Sequence, residues 1–319
     1  MTRSGAIAIT GANGFVGAAL CRQLLAKGQR VVGIVRDPGA TLPKGVERCV
    51  VGPVGPETDW SQAMRGAKAV VHLAARVHVQ WDGAADALDE FRRVNTYATE
   101  NLARAAAQQG VERFVLLSTI KSLGDGKADG TPYTDSDPLA PADAYGRSKA
   151  EAEQAVAAVS AGSGMASVIL RPPLVYGPDV RANFLVLLRA CDTPYPLPLG
   201  GIANRRSLLG LDNLVSAVDF VLESPAAAGR KFLVRDGEDL STPELAIRLR
   251  QALGRPARII PTPVGLLRAL GRVGLLRGLA QRLAGSLTAD DSAIRALGWT
   301  PPLTVDQGLA EVARWWRSR

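Results

Sequence analysis

An α/β fold is predicted, built on a doubly wound parallel sheet with a smaller C-terminal lobe. Three observations predict it. Short apolar runs alternate with longer helical stretches through the first half of the chain. Those runs are apolar at successive positions, as strands buried on both faces require. After Pro172 the alternation gives way to proline-rich segments such as RPPLVYGPD and TPYPLPLGG. The expected division is therefore residues 1–172 as the main domain and 173–319 as mainly the second lobe. The chain is expected to return to the main domain near 207–235 through SLLGLDNLVSAVDFVLES and KFLVR.

Taken in order, AIAIT (Ala6 to Thr10) reads as the first strand, and FVGAALCRQLLAKG as a helix closed by Gly28. RVVGIV (Arg30 to Val35) is the second strand and RCVVG the third. KAVVHLAA (Lys68 to Ala75) is the fourth, followed by a long alanine-rich helix from about Ala84 to Gln109. RFVLLST (Arg113 to Thr119) is the fifth strand, and a helix bearing Tyr145 follows the loop TPYTDSDPLAPAD. ASVILRP (Ala166 to Pro172) is the sixth.

Composition narrows the function. With 47% hydrophobic and 21% charged residues in 319, the chain can bury a sizeable core. No uncharged apolar run reaches the ~18 residues of a membrane span, and MTRSGAIAITGANG is too short in apolar residues for a signal peptide. Cys21, Cys49 and Cys191 are few and far apart, which fits a reducing cytoplasm rather than a disulfide framework. Two histidines, His72 and His78, and no paired-cysteine motif leave no metal site to expect. The net charge of +8 is scattered and aromatics make up only 5%, so no nucleic-acid surface is predicted. A phosphate-bearing small molecule satisfies the same surplus.

The chemistry-bearing strings begin with TGANGFVG at the first strand–helix junction. Gly11, Gly14 and Gly17 recur every third residue, permitting a tight turn that aims helix N–H groups at a pyrophosphate. Tyr145 and Lys149 in YGRSK lie just over one helical turn apart and share a face. A lysine beside a phenol favours the phenolate, so the Tyr145 pKa is expected to fall toward neutrality. At the end of the second strand, Arg36 is suited to a ribose 2′-phosphate, whereas Asp37 could grip a ribose hydroxyl.

TGANGFVG, HLAA (His72 to Ala75), Asn95, LLST (Leu116 to Thr119) and YGRSK, in this order, resemble the extended short-chain dehydrogenase/reductases over nearly the whole chain. RPPLVYGP and the C-terminal ALGWTPPLTVDQGL resemble that family's nucleotide-sugar branch. The resemblance implies a Rossmann-type domain holding NADP(H), favoured by Arg36, or NAD(H), with a nucleotide sugar as substrate. It implies Tyr145 as acid/base, Lys149 as the residue that lowers its pKa and binds the nicotinamide ribose, and Thr119, or Ser118, on the substrate oxygen. Asn13, Phe15, Val16, Val54, Leu73, Ala74, Ala75, Asn95 and Pro172 complete the implied cofactor set. Pro53 stands where relatives carry an adenine-contacting aspartate. Asn183 and Arg206, or Arg205, are implied for the substrate's diphosphate.

Ile120-Lys121 after Thr119 lacks the Asp-Glu of the dehydratases. STIKSLGDG is similar to a bacterial subgroup that includes reductases of UDP-4-keto-6-deoxy-N-acetylhexosamines in surface-polysaccharide pathways. The favoured expectation is therefore NADPH-dependent reduction of such a sugar, as in lipopolysaccharide synthesis. A UDP-hexose 4-epimerase with bound NAD is the alternative, and a non-catalytic nucleotide sensor or an apolar-ketone reductase comes further behind. A homodimer is usual for such relatives. The segment from Val264 to Gly285, with Arg268, Arg272, Arg277 and Arg282 among leucines, reads as a lid over the second lobe rather than a membrane-surface helix.

Overall fold

The computed structural model describes residues 5–77, 84–263 and 285–319. The short apolar runs form β1 (Ala6–Thr10), β2 (Val31–Val35), β3 (Glu47–Val50), β4 (Ala67–His72), β5 (Arg113–Leu117) and β6 (Ala166–Arg171). β7 (Leu174–Tyr176), β8 (Arg206–Gly210), β9 (Lys231–Leu233) and β10 (Asp239–Leu240) follow. Seven strands make one parallel sheet in the order β3-β2-β1-β4-β5-β6-β9. The order reverses between β1 and β4. In a Rossmann-type sheet that reversal opens a crevice at the carboxyl ends of the strands.

Side chains alternate across each strand, and each face finds its own helices. Ile7, Ile9, Val71 and Val115 pack with Leu20 and Leu24 of α1 (Phe15–Ala26) and Leu214 and Val218 of α7 (Leu211–Glu223). Ala8, Val70, Phe114 and Leu116 pack with Leu102 and Ala106 of α4 (Ala98–Gln108) and Ala152 and Val156 of α5 (Ala144–Ala161). Each leucine buried this way contributes ~2 kcal/mol of transfer free energy. α7 and β9 thus bring the chain back to the first sheet.

The second core gathers α6 (Ala182–Cys191), α8 (Thr242–Ala252) and α10 (Val305–Arg317) around a small sheet ordered β10-β8-β7. Tyr176 stacks on Phe184 there, ring centroids 5.3 Å apart. α8 and α10 each begin with a capping box, Ser241 with Glu244 and Thr304 with Gln307. The remaining helices, α2 (Ser61–Met64), α3 (Ala84–Phe91) and α9 (Ser292–Arg295), are short.

One expected element is subdivided. The single helix expected from about Ala84 to Gln109 is α3, a π-helical segment at Arg92–Tyr97, and α4. A π segment shifts the facing of the residues beyond it and is often found at functional sites. The basic stretch from Val264 falls outside the described residues, apart from Gly285.

Candidate active site

β1 delivers the chain to a turn that only glycine can make. Gly11 has φ +67°, and a Cβ there would lie 3.0 Å from the Ala74 amide. A Cβ on Gly17 would press into the Gly11 carbonyl oxygen and lie 2.8 Å from Ala12 Cα. The helix can therefore start hard against the strand it follows. Gly14 is its N-cap, extended and without a capping side chain, so first-turn N–H groups of α1 lack a side-chain partner there. Backbone donors, a helix dipole and side-chain-free clearance fit a dinucleotide's pyrophosphate. Asn13 lies in this turn, and Phe15 and Val16 open α1.

A buried polar chain fixes what surrounds the turn. Thr10 Oγ1 accepts from the amides of Leu73 and Ala74, each at 3.1 Å, and lies 2.7 Å from His72 Nδ1. Having accepted twice, the hydroxyl gives its one hydrogen to Nδ1. His72 therefore carries its proton on Nε2 and donates to Thr99 Oγ1 at 2.8 Å, and Thr99 donates to the Asn95 carbonyl at 2.6 Å. Burial, then the Lys149 cation, push the His72 pKa down to about 3, so the ring is neutral. Asn95, fully buried in the π segment, pairs with both backbone groups of Arg76 and donates to Ser148 Oγ at 3.0 Å. Ser148 in turn donates to the Tyr145 carbonyl at 2.8 Å. The loop of Leu73, Ala74 and Ala75 is thus tied to the helix that carries Tyr145.

Asp143 caps α5, accepting from Gly146 N at 2.6 Å, and Lys121 holds that carboxylate with an Nζ–Oδ2 distance of 2.5 Å. Phe91 packs edge-on against the Tyr145 ring at 5.9 Å. Lys149 is 1% exposed. Among the described residues no hydrogen bond joins Tyr145 to Lys149. The expected fall in the tyrosine's pKa is corrected here. Burial, then the Asp143 carboxylate, push the phenol up to about 12. The ring keeps partial solvent exposure, but desolvation of a phenolate outweighs a lysine one turn away. Lys149 is itself pushed down to about 8 by burial, with Glu153 opposing.

Thr119 lies two residues beyond β5 and caps the short 3-10 turn Ile120–Ser122. Its Oγ1 accepts the Lys121 amide at 3.3 Å, and no acceptor among the described residues takes its own hydrogen. Ser118 differs: its hydroxyl donates to Glu153 Oε1 at 2.5 Å, and Glu153 is paired with Arg171 at 2.6 Å. Pro172 is buried, and its carbonyl accepts from Ile120 N at 3.0 Å.

Arg36 is exposed beyond β2, while Asp37 turns its carboxylate onto Gly39 N at 2.8 Å. Val54 packs at the edge of the α4–α5 core. Asn183 and Arg206 line one small cavity with Leu174, Phe184 and Ser241. Burial lowers the Arg206 pKa, with Asp125 opposing. Arg205 is exposed and donates to the Asp239 carbonyl at 3.1 Å. Asp179 (φ 68°) and Ala182 (φ 54°) hold left-handed backbone on the approach to Asn183, a strain that clusters at functional loops. A larger cleft of about 970 Å³ follows α1 and α7 outward from Asn13 and includes neither Tyr145 nor Lys149.

Several residues of this arrangement escape a reading of motifs. Glu153 continues the Tyr145–Lys149 stripe by one more turn, a signal that spacing does carry. Phe91 and the Thr10–His72–Thr99 chain have no local signature.

A parallel sheet with a glycine turn at its switch point, and a buried lysine one turn from a tyrosine, define a Rossmann-type dinucleotide-binding fold. Residues 7–234 match the model of the NAD dependent epimerase/dehydratase family, and the chain belongs to that family. It is 38% identical over 316 residues to a UDP-glucose 4-epimerase from Vibrio cholerae, covering 97% of this chain and 94% of that one. It is 29% identical over 332 residues to a 2-alkyl-3-oxoalkanoate reductase from Stenotrophomonas maltophilia (strain K279a), covering 95% and 97%. Among solved structures it resembles MoeE5 in complex with UDP-glucose and NAD, at 26% identity and a TM-score of 0.77 over 98% of this chain and 99% of that one. The chain is an enzyme of the nucleotide-sugar branch. No helix among the described residues is long and apolar enough to cross a membrane.

Proposed function

We propose that the chain interconverts the C4 epimers of a UDP-hexose using bound NAD. The observation that carries this reading is the 38% identity, over almost the full length of both chains, to the Vibrio cholerae protein named UDP-glucose 4-epimerase. A nicotinamide cofactor held by the glycine turn at residues 11–17 would supply reversible hydride chemistry at C4. Tyr145 moves the proton at the C4 oxygen, and Thr119 donates a hydrogen bond to that oxygen. With its pKa at about 12 the phenol holds its proton at neutral pH, which suits the return step. The Lys149 cation on the same stripe favours the phenolate, the form from which the forward step, with Tyr145 taking up the C4 proton, must start. Gly11, Gly14 and Gly17 hold the pyrophosphate, while Asn183 and Arg206 hold the substrate's diphosphate, a charge an apolar ketone lacks. In this reading residues 1–172 with the return near 207–235 bind the dinucleotide, and most of 173–319 binds the sugar nucleotide.

A second reading is reduction of a UDP-4-keto hexosamine with NADPH. Arg36 favours it: the residue is exposed just beyond β2 and its guanidinium suits a 2′-phosphate, while Asp37 is occupied by Gly39 N. The cofactor in freshly purified protein tells the two apart. NAD surviving dialysis, with UDP-glucose converted to UDP-galactose without added cofactor, supports the epimerase. Protein that lacks NAD and consumes added NADPH only with a UDP-4-keto sugar overturns it in favour of the reductase.

A further inference from the structure

Tyr145, Lys149 and Glu153 form one stripe along α5, each a turn beyond the last. Glu153 is fully buried and Arg171 is 1% exposed. Arg171 grips the carboxylate through Nε, at 3.1 Å to both oxygens, and through Nη2, at 2.6 Å to Oε2. Ser118 donates to Oε1 from the end of β5, beside Thr119. Arg171 is itself steadied by the Asp135 carbonyl at 3.4 Å. Every polar atom of Glu153 is thus committed, from β5 and from β6, in the interior next to Lys149.

The Lys149 ammonium closes no hydrogen bond or ion pair among the described residues, Glu153 included. The charged and titratable groups around it are Tyr145 and Glu153 on α5, His72 on β4, and Arg171 on β6 through Glu153. His72 is neutral and Tyr145 is protonated at neutral pH. Glu153, one turn along the same stripe, is therefore the anion that acts on the Lys149 ammonium.

We propose that Glu153 is a positioning residue for the reaction: its carboxylate, fixed by Arg171 and Ser118, keeps Lys149 in place as an ammonium. The kinetic part of this inference rests on the proposed roles of Tyr145 and Lys149; the electrostatic part does not. Burial pulls Lys149 down to about 8, and Glu153 is the neighbour that opposes the fall. Removing that anion should let the lysine lose its proton at lower pH.

The test reads the lysine directly. Protein labelled with ¹³C at lysine Cε is titrated, with the Lys149 resonance assigned by its absence in Lys149→Met. In Glu153→Gln the midpoint should fall by about one pH unit, a tenfold change in acid constant, and Glu153→Asp should recover most of it. Because Glu153→Gln strands the Arg171 cation, Glu153→Gln/Arg171→Met is titrated as well. That variant removes the whole pair, which proteins tolerate better than half of it, and its midpoint should also fall. A midpoint unchanged in the folded variants overturns the inference. The alkaline limb of kcat/KM should move with the resonance. A midpoint that moves while the limb stays still supports Glu153's hold on Lys149 and counts against the proposed role of Lys149 in turnover.

Discussion

Gly17→Ala isolates the geometry on which dinucleotide binding rests. The added methyl would lie 2.8 Å from Ala12 Cα and press on the Gly11 carbonyl oxygen. Ordinary carbon contacts lie at about 3.5–4.0 Å, so roughly 1 Å must be found. Both obstacles are backbone, and no rotamer relieves them. Gly11 is itself packed against Ala74, so the N-terminus of α1 has to move instead. Overpacking of this kind costs ~1–3 kcal/mol of stability, about 2 °C of Tm per kcal/mol in a chain of this size. The helix N–H groups move with it. Losing one charge-assisted hydrogen bond to phosphate, ~3 kcal/mol at most, weakens the dinucleotide on the order of 100-fold. Calorimetric titration with NAD and a thermal melt measure both. A variant that binds NAD like the parent and melts at the same temperature would refute the argument that α1 must start against the strand.

Three further outcomes are expected. Tyr145→Phe should keep dinucleotide affinity and lose ~10²–10⁴-fold in kcat; undiminished turnover would remove the acid/base role. Arg36→Ala should raise the KM for NADPH and leave that for NADH unchanged, and equal effects on both would discard the phosphate argument. His72 makes the fold acid-sensitive. Its folded pKa of about 3 lies below the ordinary 6.5, so the unfolded chain binds a proton that the native state refuses. Stability is then full above pH 6.5 and falls as pH drops toward 3. At ~1.4 kcal/mol per pH decade, urea unfolding at pH 7 and pH 4 should differ by ~3 kcal/mol more in the parent than in His72→Asn. An equal pH dependence in both would show that the ring is not held neutral.

The central sheet was legible because parallel strands buried on both faces leave continuous apolar runs, and the glycine turn because tight backbone approach admits no other residue. The strings from TGANGFVG to YGRSK led to the family directly. The π segment was not legible. ALDEFRRVNTYATENLARAA carries no glycine or proline to mark a break, and its change of winding accompanies the bonds Asn95 makes to Arg76 and Ser148, residues far off in sequence. The fate of Ser118 and Thr119 was equally hidden. Adjacent strand-end hydroxyls look alike until Glu153, on another element, claims one of them. The cofactor's ribose is a subtler case: Arg36 and Asp37 compete in the sequence, and the short bond from Gly39 N to the Asp37 carboxylate weakens one competitor without removing it.

The tyrosine's pKa shows where spacing stops informing. Four residues of separation fix a shared face, but the balance between a neighbouring cation and lost solvation depends on how deeply both groups lie. Here Tyr145 is pushed up to about 12 and Lys149 down to about 8. Through the neutral range the phenol keeps its proton, and the lysine is the member of the pair that titrates. In the proposed role Lys149 acts as a cation, so activity should be present below its folded value and be lost as pH rises through it. The alkaline limb of kcat/KM is therefore expected near pH 8, not near 10 or above, where a phenol would report. A pH profile from 6 to 11 at saturating cofactor makes the measurement. A limb near 8 in the parent, shifted down when Glu153 becomes Gln, assigns the loss to the ammonium. A limb above 10 in the parent would mean that Lys149 stays charged despite its burial.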